Sequence, residues 1–364
     1  MNAPIRADFS QVQDPFPNDS KSSAFTVDLT AKPIGQIYKA QKSERFIIEN
    51  LFKENSLYTL TAPNNGGKST LATFMLECVA KRKNFGHLRT DLPENYRCLL
   101  LSGEDTDDTA NKMKALGITG DHPIDIIDKS FTMEEQVEQA LLQNKHRLYS
   151  LVIVDSLQAY GGGSNDNIVA LNNIKAARRL TGLNGTPSVI VLAHPVKHYD
   201  PNNLIPYGGN AVMNEVSGNY GLNLDLLTGV ARLSLGKKRQ KDIDSINFLL
   251  NTHDVIDPET GLPLFDNFDN PVTTTSFSYL DPTTAESKSI EASDLEHSVL
   301  TAIQLAIKTP SKKDIAREIY GNDHDDAQYK QISRAIDSLR KQNCLNETTN
   351  TLTEKGRKKQ KKLL

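Results

Sequence analysis

Four short apolar runs recur through the middle of the chain: Leu57–Leu60, Cys98–Leu101, Leu151–Val154 and Val189–Leu192. Each is rich in large aliphatic residues and bounded by turn residues, which suits a strand buried on both faces. Amphipathic stretches of helical length lie between and after them, at Lys68–Ala80, Thr106–Leu116, Met133–Gln143 and Ile168–Leu180. Strand alternating with helix predicts an α/β fold with a mostly parallel sheet and helices on both faces. After Gly229 the pattern changes. Ala231–Leu235, Ile246–Leu250 and Thr275–Tyr279 read as strands joined by turns such as Asp257-Pro258-Glu259-Thr260-Gly261. These predict antiparallel strands added at one sheet edge.

The ends of the chain read differently. Residues 1–40 are polar and aperiodic, and are expected to form a flexible arm. The α/β domain then covers 41–280, and the polar stretch 281–292 reads as a linker. Residues 293–364 form a small domain. Leu295, Val299, Ile303 and Ile307 share one helical face, and Ile315, Ile319, Ile332, Ile336 and Leu339 continue the apolar faces. Three helices are expected there, with Ser311 capping the second. A strand-like end and a lysine-rich tail follow.

Composition narrows the class. The formal net charge is −3, but from Ser293 onward 14 Lys and Arg face 10 Asp and Glu, a local excess of four positive charges. A basic tail on an acidic body points to a polyanionic partner. Cys78, Cys98 and Cys344 are too far apart for a metal knuckle or a disulfide framework, which fits a reducing cytoplasm. No apolar run approaches 18 residues, so no membrane association is expected.

The strongest chemical signal is the run Thr61-Ala62-Pro63-Asn64-Asn65-Gly66-Gly67-Lys68-Ser69-Thr70, where a strand ends, a small-residue loop turns and a helix begins. A loop around a phosphate must aim several backbone N–H groups inward, and the helix N-terminus adds a positive dipole end. Residues 62–70 are therefore expected to bind ATP, with Lys68 on the β- and γ-phosphates and Ser69 on Mg²⁺. Ala62 replaces the first glycine of G-x-x-x-x-G-K-[ST], and Asn65 stands where many such loops have glycine. Asparagine tolerates positive φ better than most residues.

Four further positions fit this loop. Asp155 ends an apolar strand and can hold Mg²⁺ through water. His194 stands at the tip of Val189–Leu192 and is a candidate γ-phosphate sensor. Lys237-Lys238-Arg239 follows a strand, and Lys237 with Arg239 could neutralise charge on the γ-phosphate of a neighbouring subunit.

Together these segments resemble the RecA/KaiC-like P-loop ATPases, in the branch of the RepA-type plasmid replicative helicases. The resemblance rests on Phe46–Phe52, Leu101-Ser102-Gly103-Glu104-Asp105, Val154-Asp155-Ser156, Leu192-Ala193-His194 and Lys237-Lys238-Arg239, in that order, and spans roughly residues 40–255. Ser156, not glutamate, follows Asp155. The resemblance implies that Glu104, just past the strand after the phosphate-loop helix, orients the attacking water, with Asp105 as the competing carboxylate. It also implies a homo-oligomer, often a hexameric ring, with ATP between subunits. Single-stranded DNA would run in a central channel lined by 160–167 and 196–209, where Lys197 is a candidate contact.

Residues 345–356 resemble the wing of a winged helix-turn-helix. Gln328, Tyr329, Lys330 and Arg334 on the preceding helix suit duplex DNA. Two functions lead: a helicase-like motor of a plasmid, phage or mobile element, and an ATP-dependent oligomeric switch that binds DNA without unwinding it; a recombinase-like filament is the weaker third, because the expected DNA loops are poor in basic residues.

Overall fold

The computed structural model describes residues 33–34, 44–103, 106–128, 132–160, 167–237, 244–257, 260–306 and 308–363. The arm expected over residues 1–40 lies outside them, apart from positions 33 and 34. Residues 44–364 form one compact unit.

From residue 44 the described chain begins with a two-stranded hairpin, β1 (Phe46–Ile48) and β2 (Phe52–Lys53). Then come β3 (Ser56–Thr61), α1 (Lys68–Ala80), β4 (Tyr96–Ser102), α2 (Thr106–Ala115), β5 (Ile124–Asp128), α3 (Met133–Gln143) and β6 (Leu148–Asp155). α4 (Asn167–Arg178), β7 (Ser188–Ala193) and α5 (Gly209–Glu215) follow. Four strands close the core: β8 (Gly218–Leu224), β9 (Val230–Lys237), β10 (Ile246–Asp254) and β11 (Thr273–Leu280). Four helices end the chain: α6 (Pro282–Leu305), α7 (Lys312–Tyr320), α8 (Asp326–Lys341) and α9 (Glu354–Leu363).

Nine strands form one sheet in the order β11-β10-β9-β8-β3-β7-β6-β4-β5. From β8 to β5 neighbouring strands are parallel, and from β8 to β11 they are antiparallel. The predicted α/β class and the antiparallel edge are both present. Period-two alternation splits each central strand between two cores. Leu100, Ile153, Ile190 and Leu192 join Leu71 and Met75 of α1 in one, while Leu101, Val152, Val154, Val189 and Val191 join Val137 of α3 and Ile174 of α4 in the other. Cys78 and Cys98 are core residues as expected, and burial pushes both thiols up to about 12.

The antiparallel strands curl back over α1. Phe248 of β10 packs on Phe74 and Phe85 at centroid distances of 5.9 and 5.1 Å, and on Phe277 of β11 at 6.1 Å. These ring contacts hold the far edge of the sheet against the helix that follows the phosphate loop.

The stretch 281–292, read as a linker, is the first half of α6. Asp281 caps this helix, its side chain accepting from the Thr284 N–H at 3.0 Å, and Pro282 occupies the first turn. A polar sequence with a good cap and no internal glycine or proline makes a helix once one side is packed. Ser311 caps α7 as expected, in a reciprocal arrangement with Asp314. A third cluster joins Val299, Leu300 and Ile303 of α6 to Ile315 of α7, Ile332 and Ile336 of α8, and Leu345. A short hairpin bridges Leu345 to Leu352, and residues 354–363 of the lysine-rich tail are helix α9.

The sequence pattern does not predict β8, because Gly218-Asn219-Tyr220-Gly221 looks like a turn. This strand holds the key polar knot of the core. The fully buried Asn219 accepts from the Thr59 and Thr61 hydroxyls at 2.9 and 2.7 Å. Its amide donates to the Leu204 carbonyl at 2.7 Å. Asn219→Ala leaves these groups without partners, so we expect a loss on the order of 3 kcal/mol in chemical denaturation. A loss under about 1 kcal/mol would contradict this account of β8.

Candidate functional site

Parallel strands deliver their ends to one sheet edge. Register pairs Thr61 with Ala193, Val154 with Val191, and Ser102 with Asp155. The loop after β3, His194 after β7, Asp155 at the end of β6 and Gly103 after β4 therefore share that edge. The strand bearing His194 stands between the phosphate-loop strand and the strand bearing Asp155.

The loop 62–69 is closed by backbone. The Ala62 N–H donates to the Ala193 carbonyl at 3.1 Å, and the Gly66 N–H to the Pro63 carbonyl at 3.0 Å. Asn65 has φ 56° and Gly67 has φ 81°, so the asparagine takes the left-handed conformation that its residue type permits. Asn64 and Asn65 are exposed while Gly66 is buried. At Gly66 an added Cβ would lie 2.9 Å from the Pro63 carbonyl oxygen. At Gly67 it would lie 2.8 Å from the Phe277 ring. Gly67 is thus fixed both by its backbone angle and by the strand that covers it.

Lys68 is the first residue of α1 and is only 7% exposed. Its ammonium donates to the Ala62 and Pro63 carbonyls, both at 3.0 Å. It also lies 3.2 Å from His194 Nδ1. An ammonium has only protons to give, so Nδ1 accepts and the imidazole proton sits on Nε2. Separately, Gln158 accepts from the His194 backbone N–H through Oε1 at 3.1 Å. The expected lysine and the expected sensor are brought into direct contact. Thr70 is buried, and its hydroxyl lies 3.2 Å from that of Thr275 on β11.

Asp155 is buried, and its carbonyl accepts from the Gly103 N–H. An added Cβ at Gly103 would meet the same carbonyl oxygen at 2.8 Å. Burial and the Asp155 carboxylate push the Tyr160 phenol well above its ordinary value, so it stays neutral beside Gln136, to which it donates. Ser69 and Asp155 both supply hard oxygen, which suits Mg²⁺. Among the described residues no group of three or more His, Cys, Asp or Glu could hold a metal ion. Mg²⁺ commonly needs only one or two protein oxygens when phosphates supply others.

A cavity of about 630 Å³ runs from the loop and the Asp108–Lys112 ion pair of α2 to Leu224, Leu226 and Leu250. A second, of about 540 Å³, lies across His194 and includes Gln158, Lys197, Tyr199 and Tyr207. Lys197 and Tyr199 are exposed on the loop 196–209, which the Leu204 carbonyl ties to Asn219.

Glu104, Asp105 and Arg239 lie outside the described residues, as does the loop 161–166. Lys237 ends β9. That strand runs against β3, so it approaches Lys237 heading away from the edge that holds the phosphate loop.

On α8, Gln328 forms a capping box with Asp325. Tyr329 stacks on His324 at 6.4 Å. Lys330 and Arg334 are exposed, and Arg334 lines a groove with Thr228 and Lys288. Sequence reasoning missed Asn219, Gln158, Thr275 and Phe277. Each acts through a contact with a residue distant in sequence, and none belongs to a local motif.

Residues 26–199 match the family model described as AAA domain, a span that includes the phosphate loop, Asp155 and His194. No curated protein matches the chain. Among solved structures, an ATPase domain is similar, with 11% identity, a TM-score of 0.43, and coverage of 59% of this chain and 91% of that one. Among the described residues no helix is long and apolar enough to cross a membrane.

The double constraint on Gly67 can be separated. Gly67→Ala should cost about 1–3 kcal/mol of stability, from positive φ and from contact with Phe277. Measured against Phe277→Leu, which has its own cost in lost ring packing, Gly67→Ala should cost only the φ share. Melting curves of both single variants and the double variant check this, and no added loss from Gly67→Ala in the Phe277→Leu background would show that φ carries no cost.

Proposed function

We propose that this chain, whose core is a RecA-like P-loop ATPase domain, binds ATP with Mg²⁺ at residues 62–70 and hydrolyses it as a DNA-acting motor of the replicative-helicase type, serving a plasmid, phage or mobile element. The observation that carries the reading is the contact of Lys68 with His194 at 3.2 Å, inside a glycine-closed loop at the end of a buried parallel strand.

The chemistry follows from these groups. The loop N–H groups and the α1 N-terminus receive the phosphates. Lys68 exchanges the Ala62 and Pro63 carbonyls for β- and γ-phosphate oxygens, which frees His194 Nδ1 to report the change. Ser69 and Asp155 are the residues that would hold Mg²⁺, which when bound would neutralise phosphate charge. Glu104, the next residue in sequence after Gly103, would orient the attacking water. The direction of β9 supports Lys237 and Arg239 acting on a neighbour's nucleotide in a ring, with a hexamer favoured. Lys197 would meet single-stranded DNA in the channel. Lys330 and Arg334 of a winged-helix-like C-terminal unit would meet duplex, with Lys355, Arg357 and Lys358 of α9 adding phosphate contacts.

One observation favours the alternative, an oligomeric DNA-binding switch without strand separation. Asp325 and Asp326 crowd the N-terminus of α8, and Gln328 is committed to the cap. That leaves less of the helix for reading bases.

ATPase turnover with and without single-stranded DNA, alongside unwinding of a forked duplex, tests the reading. Wild type should hydrolyse ATP faster with DNA and open the fork. Lys68→Ala should lose turnover, and Glu104→Gln should bind MgATP but turn over about 10²–10⁴ times more slowly. Normal turnover by Lys68→Ala would end the assignment, and turnover without unwinding would leave the switch.

Action across subunits has its own test. Arg239→Ala and Glu104→Gln should each be inactive, yet mixing them should restore part of the activity through junctions that pair an intact Glu104 with an intact Arg239. No rescue on mixing, or a fully active monomer, would defeat it.

A further inference from the structure

The connection 255–272 joins β10 to β11. β8 runs parallel to β3, and β10, two antiparallel steps from β8, runs the same way. β10 therefore ends at the sheet edge that holds the phosphate loop, and Thr273 of β11 lines the cavity there. This connection is apolar on its outside. Leu262, Phe265 and Phe268 are 64, 57 and 76% exposed. Their backbone is fixed nonetheless. The Val255 N–H donates to the Val272 carbonyl at 2.8 Å, and the Leu264 N–H to the Val255 carbonyl at 2.7 Å. The Asp266 carboxylate accepts from the Phe268 and Asn270 N–H groups at 2.8 and 2.9 Å.

Large apolar side chains held firmly in water mark a surface that another molecule covers. The charge around them says which kind. Asp266 and Asp269 are exposed on either side of Phe268, and residues 254–287 contain no Lys or Arg. Such a surface repels the phosphates of a nucleic acid. It fits a protein that offers an apolar hollow with a cation beside it.

This chain carries that hollow on the other flank of the phosphate loop. The cavity of about 540 Å³ across His194 has walls from Leu157, Val169, Tyr199 and Tyr207. Lys197, exposed, is the one Lys, Arg, Asp or Glu among its described lining residues. The volume lies within the range of sites that take a bound group. The hollow is preformed, because the Val196 N–H donates to the Ile205 carbonyl at 3.0 Å and the Tyr207 N–H to the His194 carbonyl at 2.7 Å. β9, β8 and β3 stand between β10 and β7. Phe268 is exposed and forms no part of the cavity wall, so knob and hollow do not meet within one chain.

We propose that Phe268 of one copy of this chain seats in the cavity across His194 of the next copy, with Asp266 and Asp269 facing Lys197. This rests on the reading of the chain as a homo-oligomer. Complementary patches at different places on one molecule make a heterologous contact, which closes into a ring or runs on as a filament. An aromatic side chain in a pocket is the kind of anchor that carries interface energy. The charges beside it set the register and exclude wrong partners. Knob and hollow flank the phosphate loop on one edge, so nucleotide and neighbours share that edge.

The test measures mass by sedimentation equilibrium of the full chain with MgATP. Wild type should assemble. Phe268→Ser removes the knob, and Val169→Trp, at a half-buried position, fills the hollow. Each should weaken association about tenfold or more, with melting curves that match wild type. Mixing is the decisive arm. The Phe268→Ser copy keeps its hollow and the Val169→Trp copy keeps its knob, so the two should pair one to one with wild-type strength and stop at dimers. If Val169→Trp melts early, Lys197→Glu takes its place, an exposed change that sets like charges against Asp266 and Asp269. Single variants that assemble as wild type, or a mixture that stays monomeric, would overturn the contact while leaving self-association standing. Wild-type chain that stays monomeric would remove the homo-oligomer reading and the contact with it.

Discussion

β7 is buried at every position, and β6 is buried from Tyr149 to Val154, just short of its end. Side chains on both faces of these strands are spent on packing and cannot reach a ligand. Polar chemistry is therefore confined to the strand ends, where the chain leaves the core and backbone groups lose their ladder partners. The ends of β3, β4, β6 and β7 all fall on one edge because their neighbours run parallel. Lys68, His194 and Asp155 come together for that reason, although 87 and 126 residues separate Asp155 and His194 from Lys68. Burial at 0% along Val189–Ala193 is what holds His194 beside the loop.

The antiparallel strands use the opposite logic. They leave the parallel sheet and curl over α1, so their side chains can face the loop directly. Phe277 limits Gly67 to glycine, and Thr275 meets Thr70. This cover carries aromatic packing through Phe248 to Phe74 on α1 itself. The phosphate loop thus has a rigid floor, the end of β3, and a lid edge from a strand more than 200 residues later.

The central strands and helices were legible because each carries its own pattern. Leu151–Val154 lies within β6, and Lys68–Ala80 coincides with α1. The loop was legible because its glycines and lysine are contiguous. Other features were hidden for physical reasons. Gly218 and Gly221 conceal β8, since a strand wedged between neighbours can use small residues where another chain segment comes close. At Gly221 an added Cβ would lie 3.4 Å from Leu204. Asp281–Ala292 lacks an apolar face that stands out, so its helicity comes from its cap, from the burial of Ala285 and from the packing that follows from Glu296 onward. Asn219 carries no motif at all. Its role exists only once β3 and β8 are side by side.

The turn 225–229 ties the two ends of the molecule together. Leu226 lines the cavity at the phosphate loop, and the next residue, Leu227, packs against the cluster formed by α6, α7 and α8. Asp225 bonds to Leu227 and Thr228, so the two leucines cannot move independently by more than the turn allows. β11 makes a second connection. Phe277 touches the phosphate loop, and only three residues later the chain reaches Leu280 and the cap of α6. A helical unit joined to the core by one flexible segment would be insensitive to the state of the loop. This one is joined by a pinned turn and by a strand that abuts Gly67, so the helices are braced against residues that line the cavity at the phosphate loop.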